Sequence, residues 1–356
     1  MTVVSSKGTM TGVKLPGNRG LEFHEYPIPT PVGRQALIKM KASSLCGSDL
    51  RAIYRPTDQG HGPEAYQGVI AGHEPCGIID EIGPDEQVFK VGDRVIVYHI
   101  GGCGVCAECR KGYMISCTDP VHRRAYGWQR DGGHAPYLLA DSTNLVKLPG
   151  ALSYVDGAII ACGFGTAFAA CMRAAVSGND RVLITGMGPV GLSAAMLARA
   201  MGARVVGVEG ILERRELAER LGFTDIIAPS ETAAAELMAM TGGDGFEVTI
   251  DCSGAAPARH LCLEAARLWG RVVFVGEGGT VEFAPSPLMI HKQLTLHGSW
   301  VCSIEEMMRL VELLERWGLH PEDTVTHRFR LEQTREAYEL FDTGKTGKCV
   351  ITWDDV

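Results

Sequence analysis

Four cysteines, Cys103, Cys106, Cys109 and Cys117, stand in the spacing C-x2-C-x2-C-x7-C. Four thiolates within fifteen residues can close a tetrahedral sulfur site, which suits zinc in a structural role with no position open to substrate. An iron–sulfur cluster is the competing reading, but the bacterial run for such clusters ends C-x3-C-P. Here the last spacing is seven and Thr118 follows Cys117. The lobe, about residues 101–118, is expected to fold around its metal and to do no chemistry.

A second pattern is Gly186-Met187-Gly188-Pro189-Val190-Gly191, the G-x-G-x-x-G spacing of a dinucleotide-binding loop. The pattern is weak alone and gains weight from its setting, an apolar strand at 181–185 before it and a helical run at 192–201 after it. Glycines there permit a tight turn and let the backbone approach a pyrophosphate, whose charge meets the helix N-terminus. Glu209 ends the next strand 18 residues after Gly191, close to the separation of about 20 for the carboxylate that binds ribose hydroxyls. A carboxylate at that place favours NAD over NADP. Arg214 and Arg215 lie close by and weaken the preference, and Arg214 joins the cofactor-binding set.

These residues need elements to hold them. Residues 1–148 are rich in Gly and Pro, with short alternating segments such as 36–41 and 94–98 that read as strands of a β-rich domain. From about 156 to 296 apolar strands alternate with helical periods (181–185, 204–208, 225–228, 248–251 and 271–275 as strands, 212–221 as a helix), which means βαβ units and a parallel sheet. The tail from about 298 carries helical periods at 304–317 and 331–340 and a strand at 348–352, with too little apolar mass to fold alone. It is expected to rejoin the first domain. The division is therefore 1–155 with 297–356 for one domain and 156–296 for the other.

At 356 residues the chain is long for one core. A net charge of −8 and the lack of a dense Lys/Arg stripe argue against nucleic acid as partner. Met1 to Met10 shows no secretory leader, and no stretch reads as the roughly 20 apolar residues of a membrane span. A cytosolic setting follows as the expectation, and with it metal binding or redox work, rather than a disulfide framework, for the clustered ones among twelve cysteines.

Cys46-Gly47-Ser48-Asp49, Gly72-His73-Glu74, the four-cysteine lobe, Ala161-Cys162-Gly163-Phe164-Gly165, the glycine fingerprint and the terminal Thr346-Gly347-Lys348-Cys349-Val350-Ile351 occur in order. In this the chain resembles the zinc-dependent medium-chain dehydrogenase/reductase family over nearly its whole length. The resemblance implies an α/β fold, a GroES-like β-rich catalytic domain joined to a Rossmann domain with a doubly wound parallel sheet. It also implies two zincs per chain, the second a catalytic zinc on Cys46, His73 and Cys162 with Glu74 beside it, the donor set of alcohol dehydrogenase. By the same likeness Asp49 orients His73 and Ser48 takes the proton of a substrate hydroxyl. A zinc with an open position polarises that oxygen, and the carbon beneath gives hydride to the nicotinamide. A homodimer or homotetramer, paired through the Rossmann edge strand around 294–300, is also implied.

Two positions depart from the family pattern. Many alcohol-active relatives end the proton relay in a histidine five residues after the first zinc cysteine, where this chain has Arg51. The polyol branch commonly uses Glu where Cys162 stands, although Cys-Gly-Ser-Asp-Leu at 46–50 is itself polyol-like. The substrate class is accordingly an alcohol, polyol or sugar derivative. L-Threonine 3-dehydrogenase activity is the alternative, with Arg51 as carboxylate partner. A non-catalytic dinucleotide-binding protein is the alternative of another class. Tyr54, Phe164 and Trp300 are expected in a substrate cleft or in ordinary packing, Arg123, Arg124 and Trp128 on a solvated face or, as the alternative, against substrate, and Cys76, Cys171, Cys252, Cys262, Cys302 and Cys349 in the core.

Overall fold

The computed structural model describes residues 8–353. The reading of Met1 to Met10 as free of a leader falls largely outside them. The chain divides into two compact units. One holds 1–165, 302–343 and 348–356, the other 166–301 and 344–347.

The first unit is built on a seven-stranded sheet in the order Val325–Phe329, Lys348–Thr352, Gln35–Ser44, Glu74–Ile82, Arg94–Val97, Leu145–Lys147, with Tyr137–Asp141 also paired to Gln35–Ser44. All its pairings are antiparallel except the parallel contact between the two tail strands. The tail strand Lys348–Thr352 pairs with Gln35–Ser44, and its first four residues, Lys-Cys-Val-Ile, are buried between neighbouring strands. Leu331–Leu340 is not one helix: a short tight turn at Leu331–Gln333 precedes the helix Thr334–Asp342.

In the second unit six parallel strands run in the order Ile226–Ile227, Arg204–Val208, Arg181–Thr185, Phe246–Asp251, Ala266–Phe274, Thr295–Gly298. Numbered along the chain this is 3-2-1-4-5-6, the doubly wound dinucleotide-binding order. Val182, Leu183, Ile184, Val248 and Ile250 have no exposed surface, as central parallel strands covered on both faces require.

The first division between units falls at Gly165 rather than near residue 155. The helix opened by the capping box of Ser153 and Asp156 continues through Ile160–Phe164 before leaving the first unit. The same run corrects the membrane reading. Tyr154–Arg173 is a helix of 20 residues, apolar and long enough by composition to cross a bilayer, yet 89% of its most apolar 18-residue stretch is buried within the fold. Gly157, Gly163, Gly165 and Asp156 interrupt its apolar sequence and hide its length.

Candidate active site

Strand register brings the first donors together. Gln35–Ser44 runs antiparallel to Glu74–Ile82 with Ser44 opposite Glu74, so Cys46 and His73, just beyond the two strand ends, meet. Cys162 arrives from the buried helical turn Ile160–Phe164. One ligand atom from each of Cys46, His73, Glu74 and Cys162 lies within 4.8 Å of the others. Two sulfurs, an imidazole and a carboxylate form a donor set suited to zinc.

The surroundings aim these donors. Asp49 is completely buried, and its Oδ1 lies 2.8 Å from His73 Nδ1. A carboxylate can only accept, so Nδ1 carries the hydrogen and Nε2 is left free for a metal. Ser48 Oγ stands 3.3 Å from Cys46 Sγ and 3.4 Å from His73 Nε2. The hydrogen bond from Cys162, helped by His73 and Lys348 and opposed by burial, holds the Cys46 thiol well below its ordinary range. Cys162 moves the opposite way as the donor of that pair. A thiolate is the form a metal needs, and binding would release the remaining thiol proton.

Behind the donors is a buried ion pair. Glu74 meets the Lys348 ammonium and the Ser44 hydroxyl at close hydrogen-bonding range, and Gly163 N donates to its Oε1 at 3.2 Å. Lys348 Nζ also donates to the Leu45 carbonyl at 3.0 Å. Burial pushes the Glu74 carboxyl up to about 7 despite that ammonium. His99 lies beside His73, ring centroids 5.1 Å apart, with Nδ1 2.9 Å from the Ala161 carbonyl. Burial takes its pKa down to about 3, so it is a neutral imidazole there.

The cysteine lobe is built differently. Cys106 N and Cys109 N donate to the sulfurs of Cys103 and Cys106 at 3.3 and 3.5 Å, and Cys103 N donates to Cys117 Sγ at 3.3 Å. The sulfurs of Cys103 and Cys109, and of Cys106 and Cys117, are 4.0 Å apart. That is too far for a disulfide and close to the roughly 3.8 Å edge of a tetrahedron with zinc–sulfur bonds of about 2.3 Å. Hydrogen bonds from the backbone of Cys109 and Thr118 lower the Cys106 thiol to about 6. A third group of metal-type donors, Asp156, His320 and Glu322, is equally close-set. Its atoms are already engaged: Asp156 accepts from Ser153 N, His320 Nδ1 and Glu322 N, and Glu322 accepts from Ser153 Oγ and Arg328.

In the second unit the glycine loop joins Arg181–Thr185 to the helix Pro189–Ala200. A Cβ on Gly191 would lie 1.8 Å from the Gly186 carbonyl oxygen, so only glycine fits. Glu209 Oε2 accepts from Met187 N at 2.7 Å and Oε1 from Ile211 N at 2.8 Å. The carboxylate thus stitches the loop to its own strand end. Arg214 stands 3.8 Å from Glu209, and its buried Nε has no hydrogen-bond partner. A Cβ on Gly188 would come 3.1 Å from the Arg214 guanidinium. An open glycine loop at a helix N-terminus, with a guanidinium against it whose Nε has no partner, fits a phosphate or ribose hydroxyl.

Sequence reasoning missed Lys348, Ser44, His99 and the true place of Trp128. A lysine inside the apolar strand Lys348–Thr352 was the one available signal, because a buried ammonium requires a partner. Trp128 does not face solvent alone: its Nε1 lies 3.2 Å from Asp49 Oδ1. Arg123 is tied to the Ile115 carbonyl and to Glu64. Tyr54 and Phe164 are packing residues, Tyr54 set against Tyr338 with ring centroids 5.1 Å apart. Trp300 and Arg51 are exposed. Of the six cysteines expected in the core, all are buried but Cys252, which is partly so.

Residues 33–150 match the alcohol dehydrogenase GroES-like domain family, and residues 189–316 match the zinc-binding dehydrogenase family. The chain is 48% identical over 353 residues to the uncharacterized zinc-type alcohol dehydrogenase-like protein YphC of Escherichia coli (strain K12), covering 98% of this chain and 99% of that one. It is 31% identical over 343 residues to an L-threonine 3-dehydrogenase of Shewanella baltica, covering 96% and 98%. The solved alcohol dehydrogenase TADH from Thermus sp. ATN1 superposes with a TM-score of 0.84 at 27% identity, covering 96% and 99%.

Proposed function

The chain belongs to the zinc-dependent medium-chain dehydrogenase/reductase family, and we propose that it oxidises the carbinol carbon of an alcohol, polyol or sugar derivative with NAD as hydride acceptor. The observation that carries the reading is the buried donor set of Cys46, His73 and Cys162 with a serine hydroxyl at its rim. Cys46, His73 and Cys162 would hold the catalytic zinc, with Glu74 in reserve, and Cys103, Cys106, Cys109 and Cys117 a structural one. Gly186 to Gly191, Glu209 and Arg214 would hold the dinucleotide. When bound, zinc supplies a Lewis acid that acidifies the substrate hydroxyl, and NAD supplies the hydride acceptor.

The protein's own residues do the rest. Asp49 holds the hydrogen of His73 Nδ1 and so keeps Nε2 aimed at the donor cluster. Ser48 Oγ, partly exposed and within 3.4 Å of His73 Nε2, would take the hydroxyl proton while giving up its own toward solvent, as the C–H pair leaves as hydride. Lys348 keeps a positive charge behind Glu74 and holds that carboxylate on the inner side of the cluster. Each turnover converts the carbinol and oxidised NAD to the matching carbonyl compound, NADH and one released proton.

A second reading, oxidation of a β-hydroxy amino acid, is supported by the Shewanella relative and by the exposed cation Arg51. Turnover of alcohols, polyols, sugar derivatives and L-threonine with oxidised NAD and NADP tests both readings. Zinc-dependent NADH formation with a neutral carbinol supports the first. Activity confined to L-threonine replaces it with the second. No turnover of any member, with zinc and dinucleotide bound, leaves a non-catalytic binding protein.

A further inference from the structure

Asp49 has no exposed surface, and its two oxygens are unequally served. Oδ1 lies 2.8 Å from His73 Nδ1 and 3.2 Å from Trp128 Nε1, while Oδ2 has no hydrogen-bond partner. The indole nitrogen is also 3.4 Å from His73 Nδ1. Since that ring nitrogen donates to the carboxylate, Asp49 Oδ1 is the acceptor for both N–H groups. The indole stands edge-on to the imidazole, ring centroids 6.3 Å apart and planes at 75°. Trp128 thus supports His73 twice, through the carboxylate that orients it and through direct contact with its ring.

The loop that brings Trp128 here is fastened to the ligand segment itself. Gly127 has φ +81°, and a Cβ on it would lie 2.8 Å from the backbone of Gly72 and His73. Gly132 N donates to the Ile70 carbonyl and Gly133 N to the Gly72 carbonyl, both at 2.7 Å. Gln67 N donates to the Trp128 carbonyl at 2.8 Å, and the Gln129 amide reaches the carbonyls of Glu64 and Ala65. Residues 127–133 therefore hold the 70–73 segment by its backbone while Trp128 reaches over it to Asp49.

We infer that Trp128 is a positioning residue for the catalytic metal, acting through Asp49 to fix the ring of His73 and so to retain zinc at Cys46, His73 and Cys162. This rests on the reading of those three residues as zinc ligands. An ionised carboxylate taken from water needs its hydrogen bonds. Without the indole N–H, Asp49 keeps one donor and is freer to turn, and His73 turns with it. Partners of this kind are worth about 10–100-fold in metal affinity.

The test uses the full-length, zinc-loaded protein, with Trp128→Phe to keep an aromatic ring and remove the donor. Zinc per chain is followed during dialysis against a chelator, and melting temperature is recorded alongside. The expected result is that Trp128→Phe melts like the wild type, keeps the lobe zinc and loses the other about 10-fold faster or more. Asp49→Asn should speed the same loss, and adding Trp128→Phe to it should change little further, because the two act in one chain. Equal release rates in wild type and Trp128→Phe overturn the inference. So does early melting with both zincs lost together, or a full additive effect on Asp49→Asn. A wild type that holds zinc in the lobe alone overturns the underlying reading instead, before any variant is compared.

Discussion

The first unit carries two thiol-rich sites that share a chemistry of donors and differ in almost everything else. The lobe draws all four sulfurs from residues 103–117 and supports them with backbone N–H groups of the same loop. The other site draws Cys46, His73, Glu74 and Cys162 from three distant stretches and surrounds them with Asp49, Ser44, Lys348, Ser48 and Trp128. On the proposed reading the lobe would gain order from a zinc on its four sulfurs and take no part in turnover. The scattered site has a buried charge network to set protonation and direction, plus a hydroxyl at its rim. Four sulfurs from one short loop could hold a metal for that loop alone, whereas unlike donors from three stretches need the surrounding sheet and helix to bring them together.

Exchanging one cysteine in each site should separate the two roles most strongly. Cys46→Ser is expected to abolish turnover with little change in melting. Cys109→Ser should unfold the lobe and lower the melting temperature, while the turnover of molecules that stay folded survives. Parallel melting curves and steady-state rates check this, and the comparison breaks if both variants behave alike.

Next in size is the ion pair. Lys348→Met leaves Glu74 buried without its cation, which costs up to about 3–5 kcal/mol and less where the carboxyl takes up a proton instead. Denaturant unfolding should show that loss, and Glu74→Gln added to Lys348→Met should recover much of it. Nothing comparable is expected from a charge change at the lobe's Lys111–Glu108 pair, whose lysine is exposed and whose glutamate is only partly buried.

The smallest effect concerns the third donor group, which mimics a metal site by proximity. The hydrogen bond to Asp156 raises His320 above its ordinary 6.5. A folded-state value above the unfolded one means that stabilisation is full below 6.5 and fades as pH rises through the raised value. The imidazole is 39% exposed, so His320→Asn should cost less than about 1 kcal/mol at pH 5.5 and nothing at pH 9. Zinc per chain should be unchanged. A lost zinc in that variant would make this trio a metal site and end the contrast drawn here.

Legibility in the sequence follows the same contrast. The clustering of the four cysteines and the turn of the glycine loop could be read directly because both are local: spacing along the chain is spacing in space. The parallel strands were legible through their unbroken apolar runs, Arg181–Thr185 and Arg204–Val208 among them. Lys348 was not read as a partner because Glu74 is 274 residues away along the chain, and its run reads only as a terminal strand. Trp128 was hidden for a similar reason, lying in a polar loop 79 residues from Asp49. Glu209 was singled out as a ribose partner by its distance from the glycines, whereas its hydrogen bond to Met187 N belongs to side-chain geometry that no spacing encodes.

The measurement that bears most directly on the account is the zinc content per chain at which turnover disappears, followed as a chelator strips the wild-type protein. The account predicts two zincs at the start and complete loss of turnover when one has left, the remaining zinc being held by the four cysteines. Turnover that persists undiminished with a single zinc bound by the lobe, or that never required zinc, would contradict it.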